Sequence, residues 1–261
     1  MCLILIAHQL TEQMPLLVLA NRDEFYARPT VAAEYWDESP GMIAGRDLAS
    51  GGTWFGVRND RWATVTNIRE GLRDNGGRSS RSRGWLVRDY LQGGLVQADF
   101  IASIKTIIDD FAGFNLLLGD AEELWYVSNR DNNPRLLPPG IYGLSNHLLD
   151  TPWPKVVRGK AGLNKLLRES SLDQEAAFAL LGDTTRAEDE DLPDTGIPRE
   201  WERALSAIFI TMSEYGTRCS TLLKVKSDGQ RVLIERRFNE GPHKWQANEF
   251  RWGPQGSLLD R

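Results

Sequence analysis

Two apolar runs within the first twenty residues, Leu3 to Ala7 and Leu16 to Ala20, most constrain the fold. A polar loop containing Pro15 joins them, so they predict a β-hairpin. Neither run alternates apolar with polar residues, which is the signature of strands buried on both faces. Such a hairpin has to lie inside a layered structure. Further strands are expected at Met42–Arg46, Thr53–Arg58, Trp62–Asn67, Phe114–Leu118, Leu124–Ser128 and Ile141–Leu144, and then at Ile208–Met212, Ser220–Lys226 and Arg231–Phe238. The turn dipeptides Asn59-Asp60 and Asp228-Gly229 sit where hairpins need them.

Helical periodicity occupies the middle of the chain. Ser82 is expected to cap a helix through Trp85, Leu86, Tyr90 and Leu91. Ile101, Ile104, Ile107 and Ile108 share one face of a second helix over Ala98 to Asp110. Thr151 as cap and Pro152 at the first helical position predict a third, and Asp173 to Leu181 a fourth. Asp74 to Arg83 is rich in Gly, Ser and Arg and reads as an exposed loop. The five acidic residues between Glu188 and Asp194 read as a solvated loop rather than a metal cage. No repeat or low-complexity linker divides the chain, so 1–261 is expected to be a single domain. Strands at both ends with helices between them give an α+β layered architecture.

Composition narrows the function. A net charge of −5 argues against nucleic acid as a partner. The apolar start is too short for a membrane span of about 20 residues and lacks the basic region and cleavage site of a signal peptide. No integral membrane segment and a cytoplasmic location are therefore expected. The two cysteines, at 2 and 219, cannot build a disulfide framework, and no CxxC or HExxH is present. The three histidines are scattered, so neither a metal nor a resident cofactor is expected. Ser50-Gly51-Gly52-Thr53 can form an anion nest, but no nucleotide-binding glycine spacing accompanies it.

Cys2 is the sharpest chemical feature. Initiator removal is expected before so small a residue, and it would place a free α-amine beside a thiol. With reference pKa values of about 7.7–8.0 and 8.5, the two can exchange a proton near neutrality. Nearby arginines are expected to lower both. The competing reading is a small hydrophobe opening a buried strand. Asn21-Arg22-Asp23-Glu24 ends the second run, and hairpin pairing would bring it to the rim where Cys2 begins. A surface ion-pair cluster is the alternative there. Thr66-Asn67, Gly143 to His147 and Tyr215-Gly216-Thr217-Arg218 place further polar groups at strand ends, where turn chemistry alone also accounts for them.

Taken together, Met1-Cys2-Leu3-Ile4, Asn21-Arg22-Asp23-Glu24, Ala44-Gly45-Arg46-Asp47, Gly51-Gly52-Thr53-Trp54, Thr66-Asn67-Ile68-Arg69, Ser82-Arg83-Gly84, Gly143-Leu144-Ser145-Asn146, Thr151-Pro152-Trp153-Pro154-Lys155 and Tyr215-Gly216-Thr217-Arg218 resemble, in order, the NRDE family, also called the transport and Golgi organisation protein 2 family. That family is similar to the N-terminal nucleophile hydrolases, which implies a four-layer αββα sandwich. By similarity to cysteine-type members acting on linear amides, Cys2 would be nucleophile and, through its α-amine, base. Arg22 and Asp23 would hold thiolate and amine, Asn67 and Asn146 would donate to an oxyanion, and Arg218 would stabilise negative charge. Cys219 stands where the family commonly has serine. The resemblance implies a small-molecule substrate and an amidohydrolase. Its second implication is a non-catalytic carrier for a hydrophobic ligand, haem or a lipid, since relatives are associated with secretory organisation, lipid homeostasis and haem movement.

Overall fold

The computed structural model describes residues 2–70, 81–169, 173–239 and 241–254. They form thirteen strands in two antiparallel sheets, with five α-helices outside them. The first sheet has the order β10 (Gly140–Leu144), β1 (Cys2–His8), β2 (Leu16–Phe25), β11 (Tyr215–Val225), β12 (Arg231–Phe238) and β13 (Trp245–Trp252). The second runs in sequence order through β3 (Thr30–Tyr35), β4 (Met42–Asp47), β5 (Phe55–Arg58), β6 (Arg61–Asn67), β7 (Phe114–Gly119), β8 (Leu124–Ser128) and β9 (Asp131–Leu136).

Strand alternation builds the layers. Ile4, Ile6, Val18 and Ala20 turn toward the second sheet and meet Ile43, Phe55, Trp62 and Tyr126. Their neighbours Leu3, Leu5, Leu17 and Leu19 turn the other way, under Val156, Leu163, Phe178 and Leu181 of α3 (Pro154–Arg168) and α4 (Gln174–Leu181). On the far side Ala44, Val65, Leu116 and Leu118 pack under α1 (Gly84–Gln92) and α2 (Gln97–Ile104). Each fully buried Leu or Ile contributes ~1.5–3 kcal/mol. The continuous apolar runs of β1 and β2 reflect cover on both faces, and the result is a four-layer αββα sandwich.

Several local expectations are corrected. Ser82 does not cap α1: its carbonyl accepts from the Trp85 N–H, and Arg83 occupies the cap position. The second helix stops at Ile104, followed by a 3-10 turn at 108–110. There the Ser103 and Thr106 hydroxyls bond the carbonyls of Phe100 and Ser103, competing locally with the helix. The third helix starts two residues late. Thr151 bonds the carbonyl of Leu148 and the ring of His147, and Trp153 is held extended by the proline after it, so Pro154 takes the first helical position. Ile208–Met212 is not a strand. Side chains satisfy part of its buried backbone: Asn21 donates to the carbonyl of Ile208, and the Thr217 hydroxyl accepts from the Ile210 N–H. The helix expected over Asp173 to Leu181 forms as α4, with Asp173 outside it as the cap, accepting from the Ala176 N–H. Most of the Asp74–Arg83 loop lies outside the described residues.

Candidate active site

The hairpin register places the chemistry. Cys2 lies opposite Arg22, and Arg22 opposite Cys219 on its other side. A bulge between Thr217 and Cys219 sets Thr217 against Asp23 and leaves Arg218 as the extra residue. Cys2, Arg22 and Cys219 thus share the face that looks at the second sheet, while Asp23 belongs to the opposite one.

Cys2 is held by main-chain and amide groups. Its N–H donates to Asn146 Oδ1 at 3.0 Å, and its carbonyl accepts from Ser145 Oγ at 2.9 Å. Asn146 Nδ2 donates to the carbonyl of Asn67 at 2.8 Å, and the Arg69 N–H donates to the carbonyl of Asn146. The ends of β10 and β6, one from each sheet, are thereby tied together around the first residue of β1. Burial pushes the Cys2 thiol up from its ordinary value, against the pull of the Asp23 N–H and the Arg22 charge. This reverses the expected direction: the Arg22 charge does not outweigh desolvation.

A cleft of about 650 Å³, its open mouth included, lies over Cys2 and is lined by Arg22, Asp23, Trp54, Asn67 and Arg83 among others. The Arg22 guanidinium stacks over the Trp54 ring at 4.1 Å. Trp54 is seated on Gly45, where a Cβ would lie 2.3 Å from the indole. On the other wall Gly52 meets the backbone of Gly84, with room for no Cβ on either. The glycines of the Ala44–Asp47, Gly51–Trp54 and Ser82–Gly84 stretches therefore serve close approach at the cleft.

Asp23 is 2% exposed; its Oδ1 accepts from the Thr217 hydroxyl at 2.7 Å, and its carbonyl from the Tyr215 hydroxyl at 2.9 Å. Burial pushes the carboxyl up, with Lys155 the strongest opposing charge. Lys155 is 1% exposed and falls from 10.5 to about 8 through burial. Beside it Arg69 pairs with Glu202 of α5 (Arg199–Leu205) and stacks over Trp153 at 4.9 Å.

Of the six expected site residues, Cys2, Arg22, Asp23 and Asn67 line one cleft. Asn146 adjoins them but is 1% exposed, and its amide bonds the Cys2 N–H and the carbonyl of Asn67. Arg218 lines a neighbouring cleft with Cys219 and Glu235, and its guanidinium donates to the carbonyls of Phe25 and Arg28. Sequence reasoning missed Lys155, although it stands in the Thr151–Lys155 stretch one residue before the apolar Val156. Among the described residues no His, Cys, Asp and Glu cluster suits a metal ion, and no helix is long and apolar enough to cross a membrane.

Comparison with solved structures finds the same layers in a Caenorhabditis elegans N-acylethanolamine-hydrolyzing acid amidase ortholog, with a TM-score of 0.51 over 85% of this chain and 92% of that one. At 12% identity the likeness is one of fold, that of the N-terminal nucleophile hydrolases. Sequence relatives reach further. The Transport and Golgi organization protein 2 homolog of Bos taurus is 34% identical over 257 residues, covering 90% of this chain and 92% of its own. The Homo sapiens homolog is 32% identical over 239 residues, covering 85% and 86%. The Drosophila melanogaster protein is 26% identical over 84% of this chain and 85% of its own. A family model described as Transport and Golgi organisation 2 matches residues 1–240, and with those relatives it makes this chain a member of that family.

Proposed function

We propose that the protein hydrolyses a small, linear, non-peptide amide through an acyl-cysteine at Cys2, once Met1 has been removed. The observation that carries this reading is the first residue of β1, whose nitrogen is fixed 3.0 Å from Asn146 Oδ1 at the floor of a cleft walled by Arg22, Asp23 and Asn67. A thiol raised by burial needs a base at the moment of attack, and the α-amine of the same residue is that base. It takes the Sγ proton while sulfur bonds the substrate carbonyl carbon and the carbonyl electron pair moves to oxygen. The exposed Asn67 amide and the Arg22 guanidinium stabilise that oxygen and the sulfur. As the carbonyl re-forms, the C–N bond breaks and the leaving nitrogen takes the proton from the α-ammonium. Water then attacks the thioester, giving a proton to the amine; the C–S bond breaks, and sulfur recovers its proton.

The Caenorhabditis elegans neighbour, named for hydrolysing an N-acyl amide, supports amide chemistry on this fold. The carrier reading has less support: among the described residues no histidine lines the Cys2 cleft or its neighbour. The test is intact mass of natively expressed protein, followed by hydrolysis of fluorogenic N-acyl amides by wild type and Cys2→Ala. A chain starting at Cys2, with turnover abolished in the variant, supports the proposal. Retained Met1 in active protein, or undiminished turnover in Cys2→Ala, overturns it.

A further inference from the structure

Beside the Cys2 cleft lies a second one of about 380 Å³, its open mouth included, and its walls carry Arg22, Arg218 and Arg237. Strand pairing brings them there. Arg22 of β2 lies opposite Cys219 of β11, and Cys219 opposite Arg237 of β12, so one row of the sheet runs from Cys2 to Arg237. The bulge adds Arg218 next to Cys219. Val31 of β3 lines the cleft from the second sheet.

The two clefts differ in charge. Around Cys2 the cations are answered: Arg28 pairs with Asp47 at 2.8 Å, and Asp23 and Glu24 line the same walls. In the second cleft no arginine forms an ion pair with a carboxylate among the described residues. Arg218 donates to the carbonyls of Phe25 and Arg28, and Arg237 to Gln246 Oε1 at 3.0 Å. Glu235 is the one carboxyl that lines it among the described residues. It accepts from the Ala33 N–H, and burial pushes it up, so it answers the arginines weakly. Arg22 is 6% exposed, and its Nη1 is buried with no hydrogen-bond partner among the described residues. A buried guanidinium without an acceptor is costly, and an anion at that place removes the cost.

The donors decide which anion. Among the described residues neither a helix start nor a glycine lines this cleft, so it lacks the backbone N–H cradle that suits a phosphate. Its donors are guanidinium forks, whose paired N–H groups match the two oxygens of a carboxylate. Val31, Trp54 and Phe238 give the carbon chain behind such a group an apolar wall. We propose that the second cleft is a carboxylate-binding site, in which Arg22, Arg218 and Arg237 hold the acid end of a small organic molecule. The acid end of the amide substrate and a separate organic acid present the same group, and length tells them apart. Cys219 lies two strand spacings from Cys2, roughly 10 Å, which an extended chain of about nine atoms covers. Only the substrate source rests on the acyl-cysteine reading; binding of the acid does not.

Ligand-observed NMR on the full-length protein at pH 7 and low salt is the test. Hexanoate is the probe, hexanamide its uncharged match and inorganic phosphate the tetrahedral anion. Hexanoate is expected to bind with a Kd of about 1 mM or tighter, and hexanamide at least about tenfold more weakly. Arg237→Gln, at the exposed end of the row, weakens hexanoate about tenfold, and Arg237→Lys recovers part of the loss. Equal binding of hexanoate and hexanamide overturns the proposal without any variant. So does tighter binding of phosphate, or hexanoate binding unchanged in the double variant Arg218→Gln, Arg237→Gln. Hydrolysis then distinguishes the two sources. It compares a fluorogenic N-acyl amide whose chain ends in a carboxylate about nine atoms from the amide carbon with the same amide ending in a methyl group. A kcat/KM about tenfold higher for the acid-ended amide, lost in Arg237→Gln while the methyl-ended amide is unaffected, supports the site and makes the acid part of the substrate. Equal kcat/KM, with hexanoate still bound, supports the site and makes its ligand a separate organic acid. Turnover of neither amide counts against the acyl-cysteine reading and leaves the binding result to decide this one.

Discussion

The two cysteines form a natural comparison within one sheet. Each lies directly across from Arg22, one on either side, and each side chain looks toward the second sheet. Burial pushes both thiols up, yet their surroundings diverge. Cys2 begins its strand, keeps part of its surface open and borders the larger cleft. Cys219 lies within β11, is 3% exposed and is held further up by the carboxyl of Glu235. The Arg22–Trp54 stack stands at the boundary of the two clefts. A shared arginine therefore does not make a reactive cysteine. Access separates the two thiols, and under the proposed reading a chain beginning at Cys2 adds an α-amine base that Cys219 lacks.

The sharpest way to break this comparison is Cys2→Ala, which is expected to lower kcat for a hydrolysed amide by at least about 10³-fold. Cys219→Ala is expected to stay within about threefold of wild type, so activity that follows Cys219 instead would reverse the assignment. Next in size is selectivity without any substitution. Iodoacetamide at pH 8 is expected to label Cys2 about 100-fold faster than Cys219 in the folded protein, with the two rates converging in denaturant. Comparable native rates would show that burial and Glu235 do not separate the two thiols. Asn67→Ala tests the oxyanion role on the Cys2 side: a fall of about 10²-fold or more in kcat with little change in KM is expected. A change confined to KM would make Asn67 a binding residue.

The centre of each sheet was legible in the sequence, and of the four edge strands only β10, expected at Ile141–Leu144, was. β1 and the first half of β2 are covered by sheet on one face and helices on the other, so nearly every residue there is apolar and the runs stand out, while β11 and β12 mix shorter apolar runs with polar residues. The strands missed, β3, β9 and β13, all lie at sheet edges. β9 reads Asp-Asn-Asn-Pro-Arg-Leu and β13 is largely exposed, because an edge with water beside it needs few apolar residues and tolerates charge and proline. The candidate site divides in the same way. Hairpin pairing alone predicts that Arg22 and Asp23 come to Cys2, and the register bears that geometry out. Arg218 was displaced by a one-residue bulge, which no pattern of side chains announces. The role of Asn146 depends on which atoms its amide faces. Lys155 stayed hidden because a lysine near a helix start looks solvated until the helix is packed down on β1 and β10.

The smallest effect sharpens the comparison from the Cys219 side. Glu235 is 3% exposed in the space between the sheets, and its Oε1 accepts from the Ala33 N–H of the edge strand β3 at 2.7 Å. Burial raises its carboxyl above the ordinary 4.5, outweighing that hydrogen bond and the charges of Arg237 and Arg22. For an acid raised on folding, both states hold the proton below pH 4.5 and nothing is lost. Above it the unfolded chain ionises first while the folded protein keeps its proton, so stability falls by up to ~1.4 kcal/mol per pH unit until the folded group ionises too. Glu235→Gln keeps an oxygen for Ala33 and removes the titration. Urea unfolding is therefore expected to give equal stability for variant and wild type near pH 4 and a more stable variant at pH 7. In the same variant Cys219 loses the carboxyl that holds its thiol up, so its alkylation quickens while that of Cys2 does not. A stability difference that is largest at pH 4, or two thiols that respond alike, would mean that Glu235 acts on the shared Arg22 and not on Cys219 alone.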